Sequence, residues 1–241
     1  MVVSHSRPLA RAAVALATEL LPHQPVRIEI AAGTYENSLG TDAVAVAEAI
    51  SAADTGDGVL VLMDLGSAVL SAETALELLE SPVRVRLCAA PFVEGLIAAL
   101  ATAGGGADLE RVAREAERAL EAKYAQLGDS GSRPASGAEG VATPASATPS
   151  TQTARTVAAF EVTDPHGLHA RPAAELIAAL RDLDVDIELR NATTGTGPVP
   201  ADSLTRLLTL GVSPGHHLEV SALGPDATAA IDRVRTAVTG N

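Results

Sequence analysis

A stretch without core-forming residues divides this 241-residue chain near its middle. From Gly128 to Ala154 the sequence consists mostly of Gly, Pro, Ser, Thr and Ala, and Val141 is its only larger aliphatic residue. Such a segment buries too little apolar surface to offset the entropy that is lost when its backbone is ordered. We therefore predict a flexible linker over 128–154, which joins an N-terminal domain of residues 1–127 to a C-terminal domain of residues 155–241.

The charge and the hydropathy of the chain exclude several classes of partner. Its 30 acidic and 17 basic residues give a formal net charge of -13 at pH 7, so we expect no nucleic acid partner, because a phosphate backbone would be repelled. No apolar run reaches the ~18 residues that span a bilayer, and the N-terminus lacks a targeting pattern. We expect a cytoplasmic protein with no membrane partner. Cys88, the single cysteine, is expected to be a small buried hydrophobe.

Before the linker, short apolar runs alternate with helical patterns. The predicted buried strands are Val26–Ala31, Val59–Met63 and Val83–Leu87. Ser67 can cap a helix over Ala68–Leu79, and Asp108–Tyr124 is predicted to form one closing helix. This alternation predicts an α/β domain on a mainly parallel sheet.

After the linker, the order of elements is different. The predicted elements are a strand Thr156–Val162, a helix opened by Pro172, a strand Val185–Leu189, a helix Asp202–Leu210, a strand Leu218–Leu223 and a helix Asp226–Val238, with room for one more strand near Thr193–Val199. This order predicts a small open-faced α/β sandwich.

One histidine of the C-terminal domain precedes a predicted helix. His169 lies just before it, with Ala170, Arg171 and Pro172 in the first turn. The free backbone amides of such a turn attract an anion, and a neutral imidazole is nucleophilic near physiological pH. These residues suit a reversible phosphate carrier. From the residues alone, a capping or surface histidine is the more common explanation.

The surrounding sequence resembles a known family. The run His166–Ala174 looks like the signature of HPr, the histidine phosphocarrier of the phosphoenolpyruvate-dependent phosphotransferase system, and the similarity extends over Thr156–Val238. The resemblance implies that His169 is the phosphorylated residue and that Arg171 is its charge partner. Ser203 falls where some HPr proteins carry a regulatory phosphoserine, but capping of a helix explains this serine fully and is the favoured explanation.

The N-terminal domain has a second candidate histidine. His5 lies in a tight loop between the first predicted strand and a helix, and Asp64 follows another strand. Ligands bind at such corners of a parallel sheet. If the two corners are adjacent, Asp64 could orient His5 while the amides of Gly66, Ser67 and Ala68 hold phosphate. The alternative from spacing alone is a satisfied loop histidine and an ordinary acid before a helix.

Three segments of this domain, Gly40–Val44, Met63–Ala75 and Ala89–Gly95, are similar to the IIA domain of the DhaM family, the phosphoryl-transfer subunit of a dihydroxyacetone kinase that depends on the phosphotransferase system. That domain belongs with the mannose-type IIA proteins, and the resemblance covers about residues 1–122. It implies a doubly wound sheet, a phosphohistidine at His5 with Asp64 as its hydrogen-bonding carboxylate, and a homodimer formed through the IIA domain.

Together the two resemblances imply a phosphotransferase that works as a relay. Enzyme I, charged from phosphoenolpyruvate, would phosphorylate a separate HPr or His169 directly. His5 would then pass the phosphoryl group to ADP bound on the DhaL subunit, which acts with DhaK on dihydroxyacetone. We expect no metal and no cofactor on this chain, which has no nucleotide-binding motif. Because the chain ends at Asn241, enzyme I activity is expected from another polypeptide.

Two alternative functions are kept. The first is a IIA component of a mannose-type sugar permease, which would deliver the phosphoryl group to a IIB domain instead of to nucleotide. The second is a regulatory module whose phosphorylation state is sensed by a partner without onward transfer. Loss of the phosphoryl group to ADP on DhaL would distinguish the relay from the sensor.

Overall fold

The computed structural model describes residues 1–22, 24–34, 38–127, 155–165 and 167–239. The predicted linker over 128–154 lies outside these residues, and so do His23 and His166. The domain boundaries at 127 and 155 therefore stay predictions.

The N-terminal unit is built on a parallel sheet of four strands. These are β1 (Val2–Ser4), β2 (Ile30–Ala32), β3 (Val59–Met63) and β4 (Val85–Cys88). Their order is β2-β1-β3-β4, and each neighbouring pair is parallel. The predicted parallel sheet is confirmed. Because β1 pairs with β2 on one side and with β3 on the other, the point where the strand order reverses lies between β1 and β3.

Helices cover both faces of this sheet. They are α1 (Arg7–Leu20), α2 (Ala43–Ala53), α3 (Gly66–Glu77), α4 (Phe92–Gly104), α5 (Leu109–Glu117) and α6 (Glu121–Leu127). One apolar core joins α2 and α3 to the sheet, and a second core joins α1, α4 and α5 to its other face. A sheet covered on both faces needs continuously apolar strands, which explains the buried run Val59–Leu62. The doubly wound fold is thereby confirmed.

Four elements of this unit differ from the predictions, and one is the predicted strand Val83–Leu87, which is observed as β4 over Val85–Cys88. Regular pairing in the predicted strand Val26–Ala31 begins only at Ile30. The predicted closing helix is broken into α5, with Arg118 as its C-cap residue, and α6, which begins at Glu121. The guanidinium of Arg118 binds both carboxylate oxygens of Glu121 across the break. Helix α3 begins at Gly66 and not at Ala68, since the extended Leu65 serves as its N-cap residue.

The C-terminal unit is an antiparallel sheet with helices on one face. It consists of β5 (Thr156–Glu161), α7 (Ala170–Leu180), β6 (Asp186–Asn191), β7 (Thr196–Pro200), α8 (Leu204–Thr209), β8 (His217–Leu223) and α9 (Ala227–Thr239). The strand order is β5-β8-β6-β7. Along β8 the buried residues Leu218, Val220 and Ala222 alternate with less buried ones, which is the pattern of a sheet with one covered face. The predicted open-faced sandwich is confirmed, including the strand expected near Thr193–Val199.

Cys88 closes β4 and is 1% exposed. Its prediction as a buried small residue is confirmed. Burial raises the pKa of the thiol to about 11, and the nearby carboxylate of Glu117 acts in the same direction. Among the described residues, none of the helices is both long and apolar enough to cross a bilayer.

Candidate functional site

His5 is held at the corner between the central strand β1 and helix α1. The strand ends at Ser4 and the helix begins at Arg7, so only two residues make the corner. Ser6 is the N-cap residue, and its hydroxyl accepts a hydrogen bond from the amide of Leu9 at 3.3 Å. Pro8 in the first turn has no amide proton that needs a partner. The local sequence therefore fixes where the imidazole of His5 leaves the backbone.

Asp64 lies at the matching corner after β3 and contacts His5 directly. Its Oδ1 atom is 2.9 Å from Nδ1 of His5, and its Oδ2 atom accepts a hydrogen bond of 2.9 Å from the backbone amide of His5. The carboxylate side chain is 8% exposed and the imidazole 21% exposed. Because β1 and β3 are neighbours in a parallel sheet, their carboxyl ends bring the two residues together. This is the adjacency on which the proposed role of Asp64 was conditional and which the family resemblance implied.

Two further donors complete the hydrogen bonding of the Asp64 carboxylate. The hydroxyl of Ser4 donates to Oδ2 at 2.9 Å, and the amide of Leu65 donates to Oδ1 at 2.8 Å. Burial on its own would raise the pKa of Asp64, but the hydrogen bonds from His5 and Ser4 outweigh it and lower the pKa below its usual value. The carboxyl group is therefore ionised at neutral pH and can only accept hydrogen bonds.

The ionised carboxylate determines the tautomer of His5. In the neutral ring Nδ1 must carry the proton that is donated to Asp64, so Nε2 holds the unshared electron pair. The hydroxyl of Ser67 lies 2.7 Å from Nε2. A hydroxyl that donates there orients the ring and marks the position that a group bound to Nε2 would occupy.

The first turn of α3 also faces this corner. Amides at the start of a helix have no intrahelical partner, which applies to Gly66 and Ser67. The third predicted amide, that of Ala68, donates to the carbonyl of Leu65 at 3.0 Å. A Cβ atom at Gly66 would have no atom within 4 Å, so the backbone is open on that side. Gly66 and Ser67 are therefore better placed than Ala68 to hold an anion.

His169 forms the second candidate site, at the start of α7. It is the partly buried N-cap residue of this helix, and its backbone is extended. Ala170 is the first helical residue, and the amide of Ala173 is already bonded to the carbonyl of His169 at 3.0 Å. The amides of Ala170 and Arg171 belong to the turn that lacks intrahelical partners. The guanidinium of Arg171 forms an exposed ion pair with Glu175.

The backbone before His169 is fixed by a close contact. Gly167 has a φ of +70°, and a Cβ atom there would lie 2.2 Å from the carbonyl oxygen of Val212. The amide of Leu168 donates to the same oxygen at 3.0 Å. Only glycine fits this approach, so the segment after α8 determines the position of His169.

The predicted site residues thus form two groups, one around His5 and one around His169. Ser4 and the hydroxyl of Ser67 were missed as side-chain contributors to the first group. The one available signal was the position of Ser4, a polar residue at the end of a buried strand beside a candidate histidine. A cavity of about 620 Å³ opens near Gly58, Arg84 and Leu109, at the opposite edge of the sheet from His5, and it has no part in either group.

Both units match known families. Residues 1–113 match the EIIA-man family, described as the PTS system fructose IIA component. Residues 157–239 match the PTS-HPr family, described as the PTS HPr component phosphorylation site.

Three relatives illustrate the similarity, two over nearly the whole chain and one over less than half of it. It is 43% identical over 235 residues to the PEP-dependent dihydroxyacetone kinase, phosphoryl donor subunit DhaM, of Pantoea ananatis, covering 96% of this chain and 47% of that protein. The identity to the subunit of the same name from Escherichia coli strain K12 is 42%, covering 96% of this chain and 48% of that protein. The DhaM subunit of dihydroxyacetone kinase 2 from Listeria innocua is 35% identical, covering 41% of this chain and 80% of that protein. The chain spans about half the length of the first two relatives.

Proposed function

Because the chain belongs to the DhaM family of phosphoryl donor subunits, we propose that it carries phosphoryl groups on His169 and His5 within a PEP-dependent dihydroxyacetone kinase. The phosphoryl group comes from phosphoenolpyruvate through enzyme I, either by way of a separate HPr or directly to His169. His5 passes it to ADP bound on DhaL, which works with DhaK on dihydroxyacetone. The chain binds no cofactor of its own in this scheme.

The contact that carries this proposal is the one between Asp64 and His5. An ionised carboxylate that accepts the Nδ1 proton leaves Nε2 as the nucleophile, and it stabilises the positive charge that the ring gains when a group bonds to Nε2. The Ser67 hydroxyl contacts that nitrogen, and the free amides of Gly66 and Ser67 belong to the same first turn of α3 and suit the phosphoryl oxygens. A histidine that served only as a loop residue would need none of these features.

Each transfer is an in-line displacement at phosphorus. The electron pair on Nε2 of His5 forms a bond to the phosphorus carried by His169, while the bond from phosphorus to the His169 ring breaks and its electron pair returns to that ring. In the next step a terminal oxygen of ADP attacks, and Nε2 recovers its electron pair. The proton stays on Nδ1, hydrogen-bonded to the Asp64 carboxylate, throughout both steps, so no proton has to move at the reacting nitrogen.

The support for His169 comes from its position at a helix N-terminus. A phosphoryl group there meets the amides of Ala170 and Arg171 and the positive end of α7. Arg171 now pairs with Glu175, an exposed contact of little energetic weight. Its guanidinium can leave that contact to reach the phosphoryl oxygens, as expected of a charge partner. The homodimer through the IIA-like unit is part of the same proposal.

The test is transfer of labelled phosphate from phosphoenolpyruvate, with enzyme I, HPr, DhaL and ADP present. The wild-type chain is compared with the His169→Ala and His5→Ala variants, and His217→Ala, an exposed histidine on β8, is the matched control. We expect label to accumulate on His169 in His5→Ala, with no ATP formed, and the control to behave as wild type. If the labelled phosphoryl group is never transferred to ADP on DhaL, the proposal is wrong.

One observation favours a second candidate, the IIA component of a sugar permease. The family that matches residues 1–113 is described by a sugar-specific component of the phosphotransferase system. In that case His5 would donate to a IIB domain. Transfer to a mannose-type IIB domain but not to ADP on DhaL would establish this alternative, whereas a phosphorylated chain that donates to neither would indicate the regulatory module.

A further inference from the structure

The two units contact each other through a buried polar pair. The hydroxyl of Ser203, the N-cap residue of α8, donates to Oε2 of Glu115 on α5. Ser203 is 1% exposed and Glu115 is 7% exposed. A carboxylate on the outer face of α5 would be solvated if this unit stood alone. The pair is therefore buried by the contact between the units.

Further contacts extend on both sides of this pair. Arg111 forms an ion pair with Asp202, and its guanidinium also reaches the carbonyl of Asp202 at 3.4 Å. At the other end, the guanidinium of Arg181 donates to the carbonyl of Gly104 at 3.0 Å. A Cβ atom at Gly105 would lie 3.3 Å from Cγ2 of Ile177, so the backbone of Gly105 packs closely against the Ile177 side chain between these polar contacts.

Between these polar groups the contact is apolar, and its buried polar side chains have hydrogen-bond partners. One continuous core includes Leu100 and Val112 from the first unit and Ile177 and Leu204 from the second. Within the described ranges, no buried side-chain nitrogen or oxygen lacks a hydrogen-bond partner. Removing a carboxylate from water is unfavourable unless a matching donor meets it, so the buried Glu115 selects for the surface that carries Ser203.

The contact lies away from His5 but close to His169. Helix α4 ends beside Gly58 and Arg84, at the amino edge of the parallel sheet, whereas His5 lies at the carboxyl edge. Helix α8 has six residues, so it is about 9 Å long. The N-terminus of α8 is docked through Ser203. Beyond its C-terminus, the carbonyl of Val212 accepts a hydrogen bond from the amide of Leu168, the neighbour of His169.

We infer that α4, α5 and α6 form a docking surface for the α7–α8 face of the same chain, and that docking competes with the delivery of a phosphoryl group to His169 by another protein. The second part of the inference rests on the proposed function. A stable protein contact covers about 800 Å² on each partner, which is a disc of about 16 Å radius. A donor centred on His169 would overlap the docked end of α8. The units must therefore separate before His169 is charged.

Small-angle X-ray scattering of the full chain tests docking without any reference to activity. We expect the Glu115→Arg variant to have a larger radius of gyration than wild type, because a long cation replaces the acceptor of Ser203. Glu110→Arg is the matched control, since Glu110 lies on the same helix in an exposed ion pair with Arg84, and it should leave the radius unchanged. Equal radii for Glu115→Arg and wild type would overturn the inference. So would a compaction that appears only as the concentration rises, because a second copy would then occupy the surface.

A second pair of variants keeps the inference testable if Glu115→Arg does not fold. Asp202→Arg places a second cation beside Arg111 at an exposed position, so this variant should also expand the chain. The double variant Arg111→Asp with Asp202→Arg restores an ion pair of opposite charges and should restore the compact form. An expansion in the single variant that the double variant does not reverse would count against docking.

The rate at which labelled enzyme I or HPr charges His169 tests the competition. If the docked form outnumbers the open form by about ten to one, opening raises the rate by about tenfold, so Glu115→Arg should be charged several times faster than Glu110→Arg. An expanded variant with an unchanged rate would overturn the competition alone. If no variant is ever charged, the proposed function fails and scattering still decides whether the units dock.

Discussion

Nδ1 of His5 lies 2.9 Å from Oδ1 of Asp64, and the two residues follow neighbouring parallel strands at the point where the strand order reverses. This geometry assigns different roles to the two ring nitrogens. Nδ1 is occupied by a carboxylate that is itself held by Ser4 and Leu65, while Nε2 faces a hydroxyl and the start of a helix. The chemistry of the site follows from that asymmetry.

The first prediction concerns the phosphorylated nitrogen. We expect phosphorylation of His5 on Nε2, because the bond from Nδ1 to Asp64 leaves Nε2 with the free electron pair. Nitrogen-15 NMR of ring-labelled protein, with His169→Ala to remove the second carrier, separates the two isomers. Phosphorylation on Nδ1 would show that the Asp64 contact breaks during the reaction.

Acid should weaken the fold through Asp64. The pKa of this carboxyl is lowered in the folded chain from a usual value of 3.8, so its contribution to stability is fully present above that pH and is lost as the pH falls through the lowered value. Urea unfolding at pH values from about 7 to about 3 should show the stability difference between wild type and Asp64→Asn shrinking as the pH falls. A difference that stays constant over this range would contradict the lowered pKa.

Ser67→Ala removes the hydroxyl that lies 2.7 Å from Nε2 of His5. We expect the rate of phosphoryl transfer through His5 to fall about tenfold, which corresponds to the loss of one hydrogen bond of about 1.4 kcal/mol. Ser67→Thr keeps the hydroxyl and should recover most of the rate. If alanine and threonine variants behave alike, the hydroxyl has no part in transfer.

Ser4→Ala removes a fully buried hydroxyl that donates to Asp64. We expect a loss of about 1–2 kcal/mol in the free energy of unfolding, since one buried acceptor site is left without its donor. Ser51→Ala is the control, because the hydroxyl of Ser51 only bonds the carbonyl of Ala47 on its own helix and should change stability by less than about 0.5 kcal/mol. Equal stability of the two variants in urea would show that Ser4 adds nothing to the fold.

Gly167→Ala tests the corner before His169. Its left-handed φ and a Cβ placed 2.2 Å from the carbonyl of Val212 should together lower the free energy of unfolding by about 2–4 kcal/mol. Gly215→Ala has a similar φ of +79° but no atom within 4 Å, so it measures the backbone strain alone, about 1 kcal/mol. Thermal unfolding compares the variants. A loss no greater at Gly167 than at Gly215 would mean that the corner can relax.

Much of the fold could be predicted because the hydrophobic pattern changes period along the chain. The apolar run Val59–Met63 is a strand with the predicted bounds, and the adjacency of His5 and Asp64 follows from the rule that the carboxyl ends of parallel strands share an edge. The alternation along the second sheet was equally informative.

Other features depend on contacts that a sequence does not encode locally. Ser67 was predicted to cap α3, but the extended Leu65 starts that helix two residues earlier and turns the hydroxyl of Ser67 towards His5. The donation from Ser4 to Asp64 requires the register of β1 against β3. The pairing of Ser203 with Glu115 joins residues from different units, and no periodicity predicts it.

The buried thiol of Cys88 has a practical consequence for spectroscopy. Because burial raises its pKa to about 11 and leaves it almost unexposed, we expect this thiol to react slowly with maleimides near neutral pH. Cysteines introduced on the surface can therefore be labelled selectively without removing the native one. The wild-type background already suits fluorescence energy transfer or spin-label distance measurements, and the core around β4 stays intact.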